Sequence, residues 1–112
     1  SELLRLRTEA GDTFAISITV LSELYYAAYA SGRRALNLAN IRVLLNRIPL
    51  LPFDAAAAEE YGRIRAELKA AGRPIPSTDA QIAAVARVHR LTVLTADRHF
   101  AYVNDLLVQN WL

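Results

Sequence analysis

Three acidic residues stand where a chain normally avoids isolated charge: Glu23 inside an apolar run, Asp79 at an expected helix start and Asp97 just after an apolar strand. Around Glu23 the sequence reads ISITVLSELYYAAYA, with no Lys or Arg between Arg7 and Arg33. On a helix its neighbours one turn away are Thr19, Val20, Tyr26 and Ala27, none of them a cation. An unpaired buried carboxylate is costly and escapes by raising its pKa or finding a distant partner. If the fold gathers Glu23, Asp79 and Asp97, their mutual repulsion demands a counter-ion, and a hard divalent metal suits an all-oxygen site.

Each acid also has a plain structural reading. Asp79 in a first helical turn complements the helix macrodipole. Asp97 before Arg98 reads as a turn former. Glu23 is the exception, because its apolar flanks make a solvated face a poor explanation. Asp54 reads as a helix cap and His89 as a semi-buried core residue. His99, two positions after Asp97, could ligate a metal, yet one His beside one Asp ranks below the three acids. The tyrosines Tyr25, Tyr26 and Tyr29 read as core or interface, and the scattered arginines as solvated helix faces.

Positioning these groups falls to alternating helices and short strands. Ser1–Ala10 reads as the tail of a helix ended by Gly11, followed by a strand at Phe14–Ile18. Ser17 or Thr19 can cap the next helix, which closes at Ser31–Gly32. Apolar residues at helical spacing mark Arg34–Arg47, and Pro49 stops it. A strand at Leu50–Phe53 leads to a helix over Ala55–Ala71 capped by Asp54. Thr78, with Gln81 three residues on, forms a capping-box pattern before the helix carrying Ile82, Val85, Ala86 and His89. Leu91–Leu94 is an apolar strand, and Leu106–Val108 another. Fully apolar strands alternating with helices predict a parallel sheet covered on both sides. In such sheets functional groups collect at the carboxyl ends of the strands, which puts all three acids at one edge.

Composition bounds the rest. At 112 residues, 54% hydrophobic, with four Gly and four Pro, the chain is expected to be one globular domain, residues 1–112. No apolar run approaches the roughly 20 residues of a membrane span. Cysteine is absent, which excludes disulfides and thiolate metal sites and makes the cytoplasm the natural expectation. The net charge is only +2, but all of the 13 basic residues except Lys69 are Arg, a bias that suits bidentate phosphate recognition.

Taken together, the blocks resemble a known family. Ser17 to Leu24 (S-x-x-x-x-x-E-L), Pro52 to Arg65 (PFD-A…Y-x-x-I-R), Gly72 to Ala84 (G-x-x-I-x-x-x-D-x-x-I-A-A), Thr92 to Phe100 (T-V-L-T-A-D-x-x-F) and Val108 to Trp111 (V-Q-N-W) are similar to the PIN-domain ribonucleases. The resemblance is strongest to the VapC-type toxins of toxin–antitoxin pairs and runs over about Phe14 to Trp111. It implies a three-layer α/β/α sandwich whose carboxylates hold Mg²⁺ or Mn²⁺ and cleave RNA. By the same matching, Glu23, Asp79 and Asp97 are the metal-binding catalytic acids, with Thr95 as a hydroxyl neighbour. A VapB-like antitoxin and a homodimer are the implied partners, with no membrane.

The chain departs from the pattern in one place. The family's central first strand, which ends in the first acidic ligand, has no counterpart, since Ser1 is read as beginning inside the following helix. The strands that would border it, Phe14–Ile18 and Thr92–Thr95, are then expected to lack a common neighbour. On that reading the chain does not close a monomeric sheet alone. A separate peptide, another protomer or direct pairing of the two strands would have to fill the gap. Two further readings stay open at this level: a catalytically inactive PIN-like module that binds RNA or protein, and a phosphoacceptor domain, which the lone Lys69 on a middle helix disfavours.

Overall fold

The computed structural model describes the backbone of residues 3–8, 11–95 and 97–109, and side chains from residue 14 onward. The elements follow in the order β1 (Leu3–Thr8), β2 (Gly11–Ser17), α1 (Ile18–Ala30), α2 (Arg34–Arg47), β3 (Leu50–Leu51), α3 (Ala55–Ala70), α4 (Ser77–His89), β4 (Thr92–Leu94), a 3₁₀ helix at Arg98–Tyr102, and β5 (Leu107–Gln109). The strands form one five-stranded sheet in the order β3-β2-β1-β4-β5. β2 pairs parallel with β3, and β4 parallel with β5. Both parallel pairs are joined by crossovers, as parallel neighbours require.

The N-terminal segment overturns two expectations. Residues 3–8 are a strand rather than a helix tail, and they fill the central slot expected to be vacant. β1 runs antiparallel to both neighbours, with Leu4 opposite Ala15 and Leu3 opposite Leu94, so the sheet is mixed at its centre. It is also continuous within one chain. Two causes combine here. Strands β2 and β4 would otherwise each leave a ladder of backbone donors and acceptors unpaired. The segment LLRLRT also alternates with a period of two as readily as it fits a helical stripe, and its two-residue connection to β2 permits only the antiparallel sense.

Elsewhere the local chemistry decides the element ends. The Ser17 hydroxyl, fully buried, accepts from Val20 N at 3.1 Å and caps α1. Asp54 caps α3 by accepting from Ala57 N at 3.0 Å. Gly72, at φ 70°, closes α3 in the left-handed conformation that glycine adopts without strain. The expected capping box at Thr78 does not form, because α4 starts at Ser77, two residues before the start a Thr78 cap would give, after Pro76 and with no side-chain cap. Gln81 accepts from Thr19 instead, at 2.9 Å. His89 is exposed rather than semi-buried.

The core joins Ala15, Ile16 and Val20 to Ile64, Leu68, Val93 and Phe100 through α4. The middle of that helix is interior: Ala80, Ile82, Ala83, Ala84, Val85 and Ala86 are each at most 1% exposed. Burial of so complete a helix surface fixes its axis, and hence the position of its first turn. The sequence's Asn110–Trp111 block lies outside the described residues.

Candidate metal centre

Asp79 sits in the first turn of α4 and is buried, the one acid so placed among the described residues. Asp97 follows β4 and is held from two sides. Its backbone N–H donates to Thr95 Oγ1 at 2.9 Å, and its Oδ1 accepts from His99 N at 2.9 Å, capping the 3₁₀ helix. The buried Thr95 continues the sheet ladder by donating its N–H to Gln109 O at 3.1 Å. Phe100, fully buried, anchors the 3₁₀ turn in the core, so the loop has little freedom.

This turn chemistry brings His99 into the site. Its Nδ1 lies 3.1 Å from Asp97 Oδ1 and 3.5 Å from Asp79 Oδ2. No aligned hydrogen bond reaches Nδ1. Asp79, Asp97 and His99 offer ligand atoms within 4.8 Å of one another, the one such group among the described residues. The Asp79 carboxyl is pushed above the usual carboxylate range. Burial is the main cause and the charge of Asp97 the second, with His99 opposing both. Two acids brought this close, one of them desolvated, make a site that a cation relieves.

Glu23 is placed differently. It is exposed on α1 and lies outside the 4.8 Å group. Its link to the site is indirect: Thr19, one turn earlier on α1, is buried and bonded to Gln81, two residues after Asp79. Helix α1 is thus fastened against the first turns of α4, with Glu23 one turn further along. Of the three acids singled out in the sequence, the fold brings Asp79 and Asp97 within 4.8 Å of one another, and Glu23 lies outside that group. His99, ranked below the acids, joins the pair. The signal that could have found it is its spacing, two residues after an Asp that caps a short turn.

Comparison with known proteins adds the following. A family profile described as the PIN domain matches residues 1–106. The chain is 42% identical over 97 residues to the tRNA(fMet)-specific endonuclease VapC of Shigella flexneri, covering 86% of this chain and 74% of that protein. It is 37% identical over 111 residues to ribonuclease VapC2 of Haemophilus influenzae, covering 98% of this chain and 83% of that protein. Among solved structures, VapBC2 from Rickettsia felis, bound to a DNA fragment from its promoter, superposes with a TM-score of 0.83 at 31% identity, covering 88% of this chain and 74% of that one.

Proposed function

The chain belongs to the PIN-domain family, as a VapC-type ribonuclease, and from that premise we propose that Asp79, Asp97 and Glu23 form the metal-binding catalytic site with which it hydrolyses RNA. The observation that carries this is the meeting of Asp79, Asp97 and His99 within 4.8 Å at the first turn of α4. The donor chemistry fits a divalent ion. Carboxylate oxygens suit Mg²⁺ or Mn²⁺, and an imidazole in the set tilts the choice toward Mn²⁺.

When bound, such an ion supplies Lewis-acid polarisation of a phosphate oxygen and lowers the pKa of water. The residues do the rest. The Thr95 hydroxyl holds the Asp97 backbone and the His99 amide holds its carboxylate, so the carboxylate is aimed before any ligand arrives. Burial keeps Asp79 in a setting where charge interactions are strong. Glu23, one turn beyond the Thr19 fastening on α1, supplies the third carboxylate. RNA enters as a single strand or loop, where bases and backbone are accessible.

The partners follow from the same reading. We assign a VapB-like antitoxin whose basic side chain enters the acidic site, and a homodimer through α1 and α2, where Tyr26, Tyr29, Leu36 and Val43 are each at least 50% exposed. The place of action is then the cytoplasm. No helix among the described residues is long and apolar enough to cross a membrane.

Titration calorimetry with MnCl₂ and a fluorescent RNA cleavage assay test the site together. Glu23→Gln and Asp97→Asn should each weaken Mn²⁺ binding and lower cleavage by at least about 10-fold. Unchanged metal affinity in both would remove the proposed ligand set.

A further inference from the structure

One face of α3 and the turn after it carry Arg65, Lys69 and Arg73, spaced four residues apart. Four-residue spacing on a helix places side chains above one another. Past the end of α3 the chain closes in a turn, with Gly72 N–H donating to Lys69 O at 3.1 Å and Arg73 N–H to Leu68 O at 2.9 Å, which sets Arg73 just beyond the last helical turn. Arg65 and Lys69 stand at the rim of a cleft of about 510 Å³ floored by Ala66, Leu68, Pro74 and Ile75. None of the three cations forms an ion pair among the described residues, in contrast to Arg63 on α3 and Arg87 on α4.

Both ends of the row lead to the acidic site through aromatic rings. At one end Arg65 lies 5.7 Å over the Tyr61 ring and donates to its hydroxyl at 2.9 Å, and that hydroxyl meets Ser77 Oγ at 3.0 Å, two residues before Asp79. At the other end the Arg73 guanidinium lies 4.9 Å over the exposed ring of Tyr102, whose centroid is 6.2 Å from that of His99. A row of cations without carboxylate partners, two of them pre-oriented on aromatic rings, bordering an apolar-floored cleft has the character of a single-strand nucleic-acid track. Cations take the phosphates and apolar or aromatic surface takes the bases.

We propose that Arg65, Lys69 and Arg73, with the cleft they border, hold the single-stranded RNA substrate beside the acidic site, phosphates on the cations and one base on the apolar floor. The assignment deepens the ribonuclease reading and rests on it. The residues are positioning groups, since none touches the acids. An acidic protein surface is the rival occupant, but it gives no reason for the paired rings or for the apolar floor between the charges.

The test measures binding, by fluorescence anisotropy of a labelled single-stranded oligoribonucleotide, in the Asp79→Asn protein so that cleavage does not intervene. Affinity is followed against salt concentration, with melting temperature as a check on folding. Substituting Arg65→Gln, Lys69→Gln and Arg73→Gln together should make the log–log salt slope shallower by about 2, near 0.7 for each phosphate no longer neutralised. Arg42→Gln and Arg47→Gln on α2 should leave the slope unchanged. A folded triple variant with the parental slope overturns the inference while the ribonuclease reading stands. The same holds if the triple variant keeps its slope and loses only affinity for an acidic partner protein. Failure of the Asp79→Asn protein itself to bind RNA overturns both.

Discussion

At the scale of single residues, Asp79 carries the sharpest consequence. Its carboxyl titrates above the ordinary range, through burial first and the charge of Asp97 second. The folded chain therefore holds this proton more tightly than the unfolded chain does. The stability this contributes is fully present below the unfolded pKa and is lost as pH rises through the folded one. In chelator-treated protein, Asp79→Asn should accordingly raise the melting temperature near pH 7, with the gain fading toward about pH 3, where both side chains are neutral. Differential scanning calorimetry across that range checks the sign, and a variant less stable than the parent at neutral pH would contradict it. Added Mn²⁺ should reverse the order, since a ligand that binds only the folded parent stabilises it by mass action. RNA cleavage by the same variant should fall by more than about 100-fold. Asp79 and Asp97 are legible from their places at a helix start and a strand end, whereas Glu23, set among apolar flanks, is exposed, and the position of His99 depends on a capped 3₁₀ turn that no hydrophobic period announces.

At the scale of elements, the ends of helices record where local preference and tertiary need disagree. Helix α4 closes on Arg90, at φ 55°, with Leu91 N–H donating to Ala86 O at 2.9 Å, a termination that glycine makes without strain. Relief of the left-handed cost, about 1–2 kcal/mol, outweighs the extra chain entropy of glycine, about 0.5–1 kcal/mol. Arg90→Gly should therefore stabilise the protein by roughly 0.5–1 kcal/mol in urea denaturation. A loss of stability would mean that the Arg90 side chain makes a contribution its exposure hides. The helices are readable because caps such as Ser17 and Asp54 and the stops at Pro49 and Gly72 are written in single residues. Strand β1 is not, because LLRLRT serves both periods. Its assignment is made by two unpaired neighbours, β2 next to it in sequence and β4 near the far end of the chain. Thr78 does not act as a cap because it lies inside α4, and the Gln81 side chain is taken by Thr19 from another helix.

At the scale of the whole molecule, a single cation fastens the C-terminal half. Arg87, its side chain 12% exposed, reaches Glu60 at 2.7 Å, Glu67 at 3.3 Å and the Asn104 carbonyl at 3.3 Å, tying α4 to α3 and to the loop before β5. Arg87→Leu would leave a largely covered Glu60 with only the 3.9 Å approach of the exposed Arg63, at a cost of about 1–3 kcal/mol. Arg63, 61% exposed and 2.9 Å from Glu59, makes an ion pair of similar length that water screens. Arg63→Ala should therefore change stability by less than about 1 kcal/mol. Urea midpoints for the two variants, compared side by side, decide whether burial rather than distance sets the value of these ion pairs.

Between Ile82 and Ala86 helix α4 has no side turned to water, and its small residues there pack closely against the elements around it. Asp79 is carried at one end of this helix as a cutting edge is carried on a clamped tool. Any enlargement along the shaft must displace the edge or break the clamp. Ala83→Leu, one turn along the helix from Asp79, should cost about 1–3 kcal/mol by overpacking. Its catalytic loss, read in the RNA cleavage assay, should exceed what the remaining folded fraction explains. Substitution along the buried stretch of α4 is thus confined to side chains close to their present size.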